Sequence, residues 1–238
     1  MIDQIEQIMK KDKETFCEFL TCLYNKGLAH IICEYKDDNN FWFRRVNEQF
    51  GINDMFVCCD DIDYFDKIIS SFDGFVLTAI MPFDISEAQI QDNWKISKRR
   101  QFCKSKADSD SCDAVRLDAS YKPLIQTSAS ETTKENFSLA IEYDEPCFGF
   151  FKDELCCFAS VSEIKKADIT EINWIHTEPK CRNKGYASVL LRDVSNLYAT
   201  QGILVTYHCD SENIASAKTA LKSGFKEVAK EIVLEKRL

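Results

Sequence analysis

The sequence contains few of the residues that break secondary structure: its 238 residues include only 7 glycines and 4 prolines. Collagen-like chains and low-complexity disordered chains need far more of both. Its apolar runs are also short, whereas a transmembrane helix needs about 20 consecutive apolar residues. With 45% apolar and 29% charged residues, the composition is typical of a folded, water-soluble protein, and we expect no membrane partner.

Negative charge exceeds positive charge. The chain has 30 Lys and Arg residues against 39 Asp and Glu residues, which gives a formal charge of −9 and a pI of about 5.0. A general nucleic-acid-binding protein needs basic residues to neutralise phosphates, so we predict no nucleic-acid partner. The N-terminal segment 1–14 is amphipathic and charged rather than signal-like, which favours a cytoplasmic location.

Histidine is rare, with three residues, and no C-x-x-C pair occurs. The spacing expected of a zinc site is therefore absent, and we predict no metal site. Cysteine is abundant, with twelve residues that include the adjacent pairs Cys58–Cys59 and Cys156–Cys157. Because the chain is too long for a small disulfide scaffold, we expect reduced, buried thiols that pack as small apolar groups.

A polar segment at residues 105–113, SKADSDSCD, is nearly free of large apolar side chains and predicts a linker. It would separate an N-terminal α/β region, residues 1–104, from a second domain, residues 114–238. In the second domain the pattern predicts a strand, helices and a hairpin, followed by β-α-β-α-β. This order indicates an α/β or α+β domain with a mixed sheet. We detect no internal repeat in the sequence.

The segment from Arg182 to Ala187, RNKGYA, lies between a predicted strand and a predicted helix. The first turn of a helix leaves about four backbone N–H groups without partners, and the helix dipole adds a partial positive charge there. A diphosphate satisfies both. Gly185 and Ala187 leave the backbone accessible, and Arg182 and Lys184 add positive charge. The segment therefore predicts a phosphate-binding turn.

A second motif follows in the next strand and helix, with Asn213, Ser216, Gly224 and Phe225 in order. Together with the 182–187 segment, this arrangement resembles the GNAT N-acetyltransferase superfamily over residues 112–238. The resemblance implies a GNAT-like mixed, mostly antiparallel sheet with splayed central parallel strands. It also implies acetyl-CoA as the cofactor.

The resemblance further implies where the cofactor binds. The pantetheine arm would pair with the strand before the turn like an added β-strand, and the diphosphate would rest on the turn. Asn213 also fits a helix N-cap, and the two roles are compatible. The implied cofactor-binding residues are Trp174, Ile175, His176, Thr177, Arg182, Asn183, Lys184, Gly185, Tyr186, Ala187, Asn213 and Ser216.

The implied reaction is acyl transfer from a thioester to an amine, which needs a group that removes a proton from the amine. Glu171 is one candidate, because it lies eleven residues before Arg182, as the catalytic Glu does in the histone-acetyltransferase branch. His176 is the other candidate. Many members carry a Tyr as general acid seven residues after the motif Asn, where this chain has Ala220. The alternative donors are Tyr207, Cys209 and Ser216.

Two functions follow from these observations. One is acetyl transfer from acetyl-CoA to a primary amine of a small molecule or peptide. The other, suggested by Ala220, is a regulatory or degenerate GNAT module that binds acyl-CoA without efficient turnover. An unrelated nucleotide-binding fold is disfavoured, since neither G-x-G-x-x-G nor G-x-x-x-x-G-K-[ST] occurs. The acceptor and the acyl length stay open, and we expect a monomer or a homodimer.

Overall fold

A computed structural model describes residues 1–24, 29–82, 84–88, 90, 92–108 and 112–237. The chain forms two units: Met1–Gln101 with Val228–Leu238, and Phe102–Glu227. The first boundary between the units falls before the predicted linker at 105–113. Residues 109–111 of that linker lie outside the described residues.

The described part of the first unit contains α-helices and β-strands. The helices are α1 (Ile2–Lys11), α2 (Cys17–Tyr24) and α3 (Ile62–Ser71). The strands are β1 (His30–Asp37), β2 (Asn40–Asn47), β3 (Ile52–Cys58), β4 (Val76–Ile80) and β5 (Trp94–Lys104), with β11 (Lys226–Lys236) from the end of the chain. β1, β2 and β3 pair antiparallel in that order, β3 and β4 pair parallel, and β4 pairs antiparallel with β11.

The second unit holds the segment that carries the sequence motifs. Its strands are β6 (Val115–Leu117), β7 (Cys147–Phe151), β8 (Leu155–Ile164), β9 (Ile169–Thr177) and β10 (Leu204–Asp210). Its helices are α4 (Lys122–Ser128), α5 (Glu131–Glu142), α6 (Tyr186–Ala199) and α7 (Ile214–Lys222). The strands pair in the order β6-β7-β8-β9-β10, and among these described pairs β9 and β10 are parallel while the others are antiparallel. The predicted mixed, mostly antiparallel sheet is confirmed.

Two apolar clusters cover the sheet of the second unit. α6 contributes Leu190, Leu191 and Val194, which recur at helical spacing and pack in one cluster with β8 and β10 residues. α5 contributes Phe137 to a second cluster with Phe158 of β8. No helix within the described residues is both long enough and apolar enough to cross a membrane.

The two units share one order of elements. In each, two helices precede three antiparallel strands, and a helix then leads to a strand that pairs parallel with the third. In the first unit these elements run from α1 to β4, and in the second from α4 to β10. The structure therefore contains a topological repeat that the sequence does not reveal.

Most cysteines pack as the sequence predicts. Eight of the twelve are buried, three are half-buried and only Cys112 is exposed. A small apolar side chain suits these positions, because a thiol is a weak hydrogen-bonding group and needs no polar partner.

The Leu190 side chain is fully buried, so Leu190→Ala leaves a cavity in the core of the second unit. We expect the free energy of unfolding to fall by about 2–5 kcal/mol. Leu221→Ala is the matched control, since Leu221 is 50% exposed and its truncation should change stability by about 0.5 kcal/mol or less. Urea unfolding measures both variants, and equal losses would contradict the assignment of the core.

Candidate active site

The parallel strands β9 and β10 part before either strand ends. They pair from Ile169 and Leu204 as far as Ile172 and Tyr207, although β9 continues to Thr177 and β10 to Asp210. At the same point β9 carries a bulge. Its neighbour β8 pairs Val161 with Ile172 and Ser160 with Trp174, which leaves Asn173 as an extra residue. A bulge bends the strand that carries it, and the strands separate where the bend occurs.

A cleft of about 840 Å³ lies where the strands part. Its walls come from the end of β9, the turn before α6, the first turn of α6, β10 and α7. Three cationic side chains line it, from Arg182, Lys218 and Lys222, and among the described lining residues there is no carboxylate. Because the whole chain carries a formal charge of −9, this local excess of positive charge indicates an anionic ligand.

The turn before α6 presents backbone donors to this cleft. Gly185 is the N-cap, with φ +81°, and Asn183 also has a positive φ of +61°. In the described chain the backbone N–H groups of residues 183–188 donate to no backbone carbonyl, and the first helical bond runs from Val189 N–H to Gly185 O at 3.2 Å. A Cβ on Gly185 would meet no atom within 4 Å. The left-handed φ favours glycine there, and the absence of atoms near its Cβ position shows that the space in front of the turn is open.

Ten of the twelve predicted cofactor-binding residues line the cleft. They are Ile175, His176, Thr177, Arg182, Asn183, Gly185, Tyr186, Ala187, Asn213 and Ser216. The other two, Trp174 and Lys184, lie in the same segments with exposed side chains. The structure thus brings the predicted residues together, while their contacts with a cofactor stay predictions.

The residues that α7 contributes beyond Ser216 were not predicted from the sequence. Lys218, Thr219 and Lys222 line the cleft from the same helix. A signal for them exists: residues spaced three and four apart share one helix face, so the face that begins at Asn213 continues through them. Two of the three cleft cations come from this face.

Tyr207 of β10 and Ser216 of α7 meet in the cleft, with 2.5 Å between their hydroxyl oxygens. Burial raises the pKa of the Tyr207 phenol above its usual value of 10, so it is protonated at neutral pH. The predicted N-cap is present, because the Asn213 side-chain oxygen accepts the Ser216 N–H at 3.0 Å. Ala220 is fully buried, and Cys209, 8% exposed, packs in the apolar cluster of the second unit rather than in the cleft wall.

Glu171 lies opposite Thr206, one pair before the strands part. Its Oε1 is 3.2 Å from Nδ1 of His208, the residue of β10 that follows the last paired position. His208 was not predicted from the sequence, because the parallel register of β9 and β10 brings it beside Glu171. The structure therefore places a carboxylate and an imidazole together at the point of separation.

His176, the other candidate base, lies closer to the phosphate-binding turn and lines the cleft. Its Nε2 is 3.4 Å from the Ser130 hydroxyl oxygen. Burial lowers the pKa of His176 below its usual value, so the ring is neutral at pH 7.

The corresponding place in the first unit is closed. β3 and β4 stay paired through Cys58 and Ile80, the last residues of both strands. At the start of α3 the Asp61 carboxylate accepts the backbone N–H groups of Asp63 and Tyr64, at 3.0 and 3.1 Å. The donors of that helix are satisfied by a negative group, which excludes a phosphate there.

Known proteins resemble this chain in sequence and in fold. Residues 148–234 match the sequence model of the family described as FR47-like protein. The fold is similar to that of a GNAT-family acetyltransferase from Colwellia psychrerythraea, with 16% identity over 91% of this chain and 90% of that one and a TM-score of 0.54. It is similar to a GCN5-related N-acetyltransferase from Kribbella flavida, with 10% identity over 91% and 95% and a TM-score of 0.52.

A Drosophila protein of solved structure is similar over 98% of this chain and 95% of its own, with 10% identity and a TM-score of 0.60. No curated protein matches the chain. The predicted resemblance to the GNAT superfamily is confirmed by the family match and by the fold. Since the identities are low, the solved structures show the fold alone.

Gly185→Ala tests the turn against a matched control. Gly202 also has a positive φ, +77°, and open space around its Cβ position, but it does not line the cleft. Both Gly→Ala variants should lose about 1–2 kcal/mol of stability, because both place Ala in the left-handed region. Only Gly185→Ala should weaken the binding of CoA, about tenfold or more, because its Cβ would enter the open space in front of the turn and keep the diphosphate from the backbone N–H groups, whose hydrogen bonds to a charged group are each worth about 1.5–3 kcal/mol. Calorimetry measures the affinity of both variants for CoA. If both bound CoA equally weakly, the assignment of the turn as the binding site would be contradicted.

Because parted strands and an uncapped helix N-terminus occur together in the second unit and are not found at the corresponding place of the first unit within the described residues, we expect one CoA molecule to bind per chain. Isothermal titration calorimetry of the full chain measures this stoichiometry. Two equivalent sites per chain would show that the Asp61 cap does not close the first unit.

Proposed function

We propose that the chain is an N-acetyltransferase that transfers an acetyl group from acetyl-CoA to a primary amine of a small molecule or peptide. The observation that carries the proposal is the cleft between β9 and β10, which has unpaired backbone donors at one end, three cationic side chains on its walls and no carboxylate among its described lining residues. GNAT N-acetyltransferases of the same fold support acyl transfer as the reaction class.

The residues of the cleft fit the charged end of CoA. The backbone N–H groups of residues 183–188, in the turn before α6 and in its first turn, have no backbone partner within the described chain, and they would hold the diphosphate. Arg182, Lys218 and Lys222 add positive charge from two sides. Lysines act as point charges toward phosphate, and the cluster would raise the association rate of an anion.

The free edge of β9 fits the pantetheine arm. From Trp174 onward β9 pairs only with β8 among the described strands, so its backbone groups on the other side are available to an added chain. An extended arm with amide groups can use such an edge as a further strand does. Residues 174–177 would hold the arm in this way.

Glu171 is the group that we propose for proton removal. The thioester supplies an activated acyl group, while the amine reaches the protein mostly as an ammonium ion, with a pKa near 10. Glu171 lies one residue before the parting point, and it is in contact with His208. We therefore assign the pair Glu171 and His208 to accept and pass on the proton of the amine.

Tyr207 is the group that we propose for protonating the departing thiolate. It lines the cleft at the last paired position, and its raised pKa keeps the phenol proton in place at neutral pH. The contact with Ser216 orients the hydroxyl. Tyr207 would thus take the role that a Tyr at position 220 would have in other members.

Glu171→Gln preserves the shape of the side chain and removes the base. We expect kcat/KM for the amine to fall by about 10²- to 10⁴-fold, while the affinity for CoA is unchanged. The assay measures release of the CoA thiol with a panel of polyamines, amino sugars and lysine peptides. Glu135→Gln, at an exposed position of α5, is the control and should retain full activity.

The alternative function, binding of acyl-CoA without turnover, is favoured by Ala220 and predicts a different result. CoA would bind, but no amine in the panel would cause release of the CoA thiol from acetyl-CoA. Glu171→Gln would then change neither CoA binding nor thiol release. Absence of CoA binding by the wild-type chain would contradict both functions.

A further inference from the structure

A buried carboxylate connects the end of β9 to the start of α5. Glu178, 7% exposed, directly follows β9, and its Oε2 accepts the backbone N–H of Ser130 at 3.0 Å. Its Oε1 accepts the hydroxyl protons of Ser130, at 3.1 Å, and of Thr133, at 2.6 Å. The Ser130 side chain makes no capping bond of its own, and Glu178 instead binds the N-cap residue Ser130 and the side chain of Thr133 in the first turn of α5.

This network continues to a residue of the cleft wall. The Ser130 hydroxyl oxygen is 3.4 Å from Nε2 of His176, and His176 lines the cleft. The charged groups near the ring are Glu178 and Arg182, which act in opposite directions on its pKa. Within the described chain Ser130 is the hydrogen-bond partner of the ring.

The hydrogen-bonding groups around the Ser130 hydroxyl determine which nitrogen of His176 carries the proton. A hydroxyl has one proton, and an ionised carboxylate donates none. The Ser130 proton has two acceptors other than His176, namely Glu178 Oε1 at 3.1 Å and Thr133 Oγ1 at 3.4 Å. The Ser130 oxygen therefore accepts at its contact with His176, which requires a proton on Nε2. In a neutral ring Nδ1 then carries the lone pair.

We propose that Ser130 and Glu178 are positioning residues that hold His176 as its Nε2–H tautomer, so that Nδ1 accepts a hydrogen bond from an amide N–H of the cofactor arm in the cleft. The identity of the ligand rests on the proposed function. The geometry rests on the side chains of Ser130, His176 and Glu178. His176 is adjacent to Thr177 on the free edge of β9, where the arm is expected to lie. Its side chain would add one directed contact to those of the backbone.

A spectrum of the unliganded chain tests the tautomer. The sequence has three histidines, so a long-range ¹H–¹⁵N correlation spectrum of the labelled full chain, compared with that of His176→Gln, assigns the His176 signals. We expect a protonated Nε2 and an unprotonated Nδ1 at pH 7.5. Ser130→Ala should produce a mixture of both tautomers, and Ser130→Thr should restore the wild-type pattern.

Two further variants separate positioning from a merely structural effect. Glu178→Gln offers an amide N–H to the Ser130 oxygen, which frees the Ser130 proton for His176, so the population should move toward the Nδ1–H tautomer. Ser138→Ala removes a hydroxyl of α5 that donates to the Lys134 carbonyl and should change nothing. An Nδ1–H tautomer in the wild type, or a wild-type pattern in Ser130→Ala, would overturn the proposal.

Binding measurements test the contact with the arm. CoA carries the arm and ADP does not, so Ser130→Ala should weaken CoA binding about three- to tenfold, the effect of one neutral hydrogen bond, and leave ADP binding unchanged. The role of Nδ1 would be overturned if the wild type and Ser130→Ala bound CoA with equal affinity. It would also be overturned if Ser130→Ala lost as much affinity for ADP as for CoA. If the wild-type chain binds no CoA, the proposed function and the arm contact fail together, while the tautomer spectrum still decides the assignment of Ser130 and Glu178.

Discussion

Parallel strands normally stay paired along their shared length, because an unpaired backbone N–H or C=O group that leaves water without a partner is costly. β9 and β10 do not, and their separation after Ile172 and Tyr207 is the constraint on which the site depends. The bulge at Asn173 bends β9 at that residue, and α6 and α7 bring cationic and hydroxyl groups to the gap. Without the separation, the first turn of α6 would adjoin a continuous sheet with no space for an extended ligand.

The first unit shows what the same topology does without these features. β3 and β4 remain paired to their ends, and the Asp61 carboxylate occupies the N–H groups of the following helix. In the second unit the corresponding N-cap is Gly185, which has no side chain to offer. The N-cap residue thus makes the difference between the two helices. Asp61 binds backbone N–H groups of α3, whereas Gly185 leaves those of α6 available to a ligand. Repetition of a fold does not imply repetition of a site.

Much of the second unit was predictable because its signals are local. The hairpin and the β-α-β-α-β order that follows it each depend on a few neighbouring residues, and the structure has these elements in the predicted order. The turn at 182–187 was predictable for the same reason. Asn213 was recognised as an N-cap from its residue type, and the bond to Ser216 confirms it.

The remaining features depend on residues far apart in the chain. The bulge at Asn173 has no residue signature, since it arises from the register between β8 and β9. His208 meets Glu171 only through the pairing of β9 with β10, and Glu178 meets Ser130 across 48 residues. The repeat of the two units was hidden because topology tolerates extensive sequence change: apolar residues of suitable size suffice for each element.

The most direct test is a titration of the ¹⁵N-labelled chain with CoA, followed through the backbone amide signals. Our account predicts large shifts for the amides of residues 183–188, which would donate to the diphosphate, and for residues 174–177 on the free edge of β9. The amides at the start of α3, including Asp63 and Tyr64, should stay unchanged. Saturable binding that leaves residues 183–188 unaffected, or no binding at all, would contradict it.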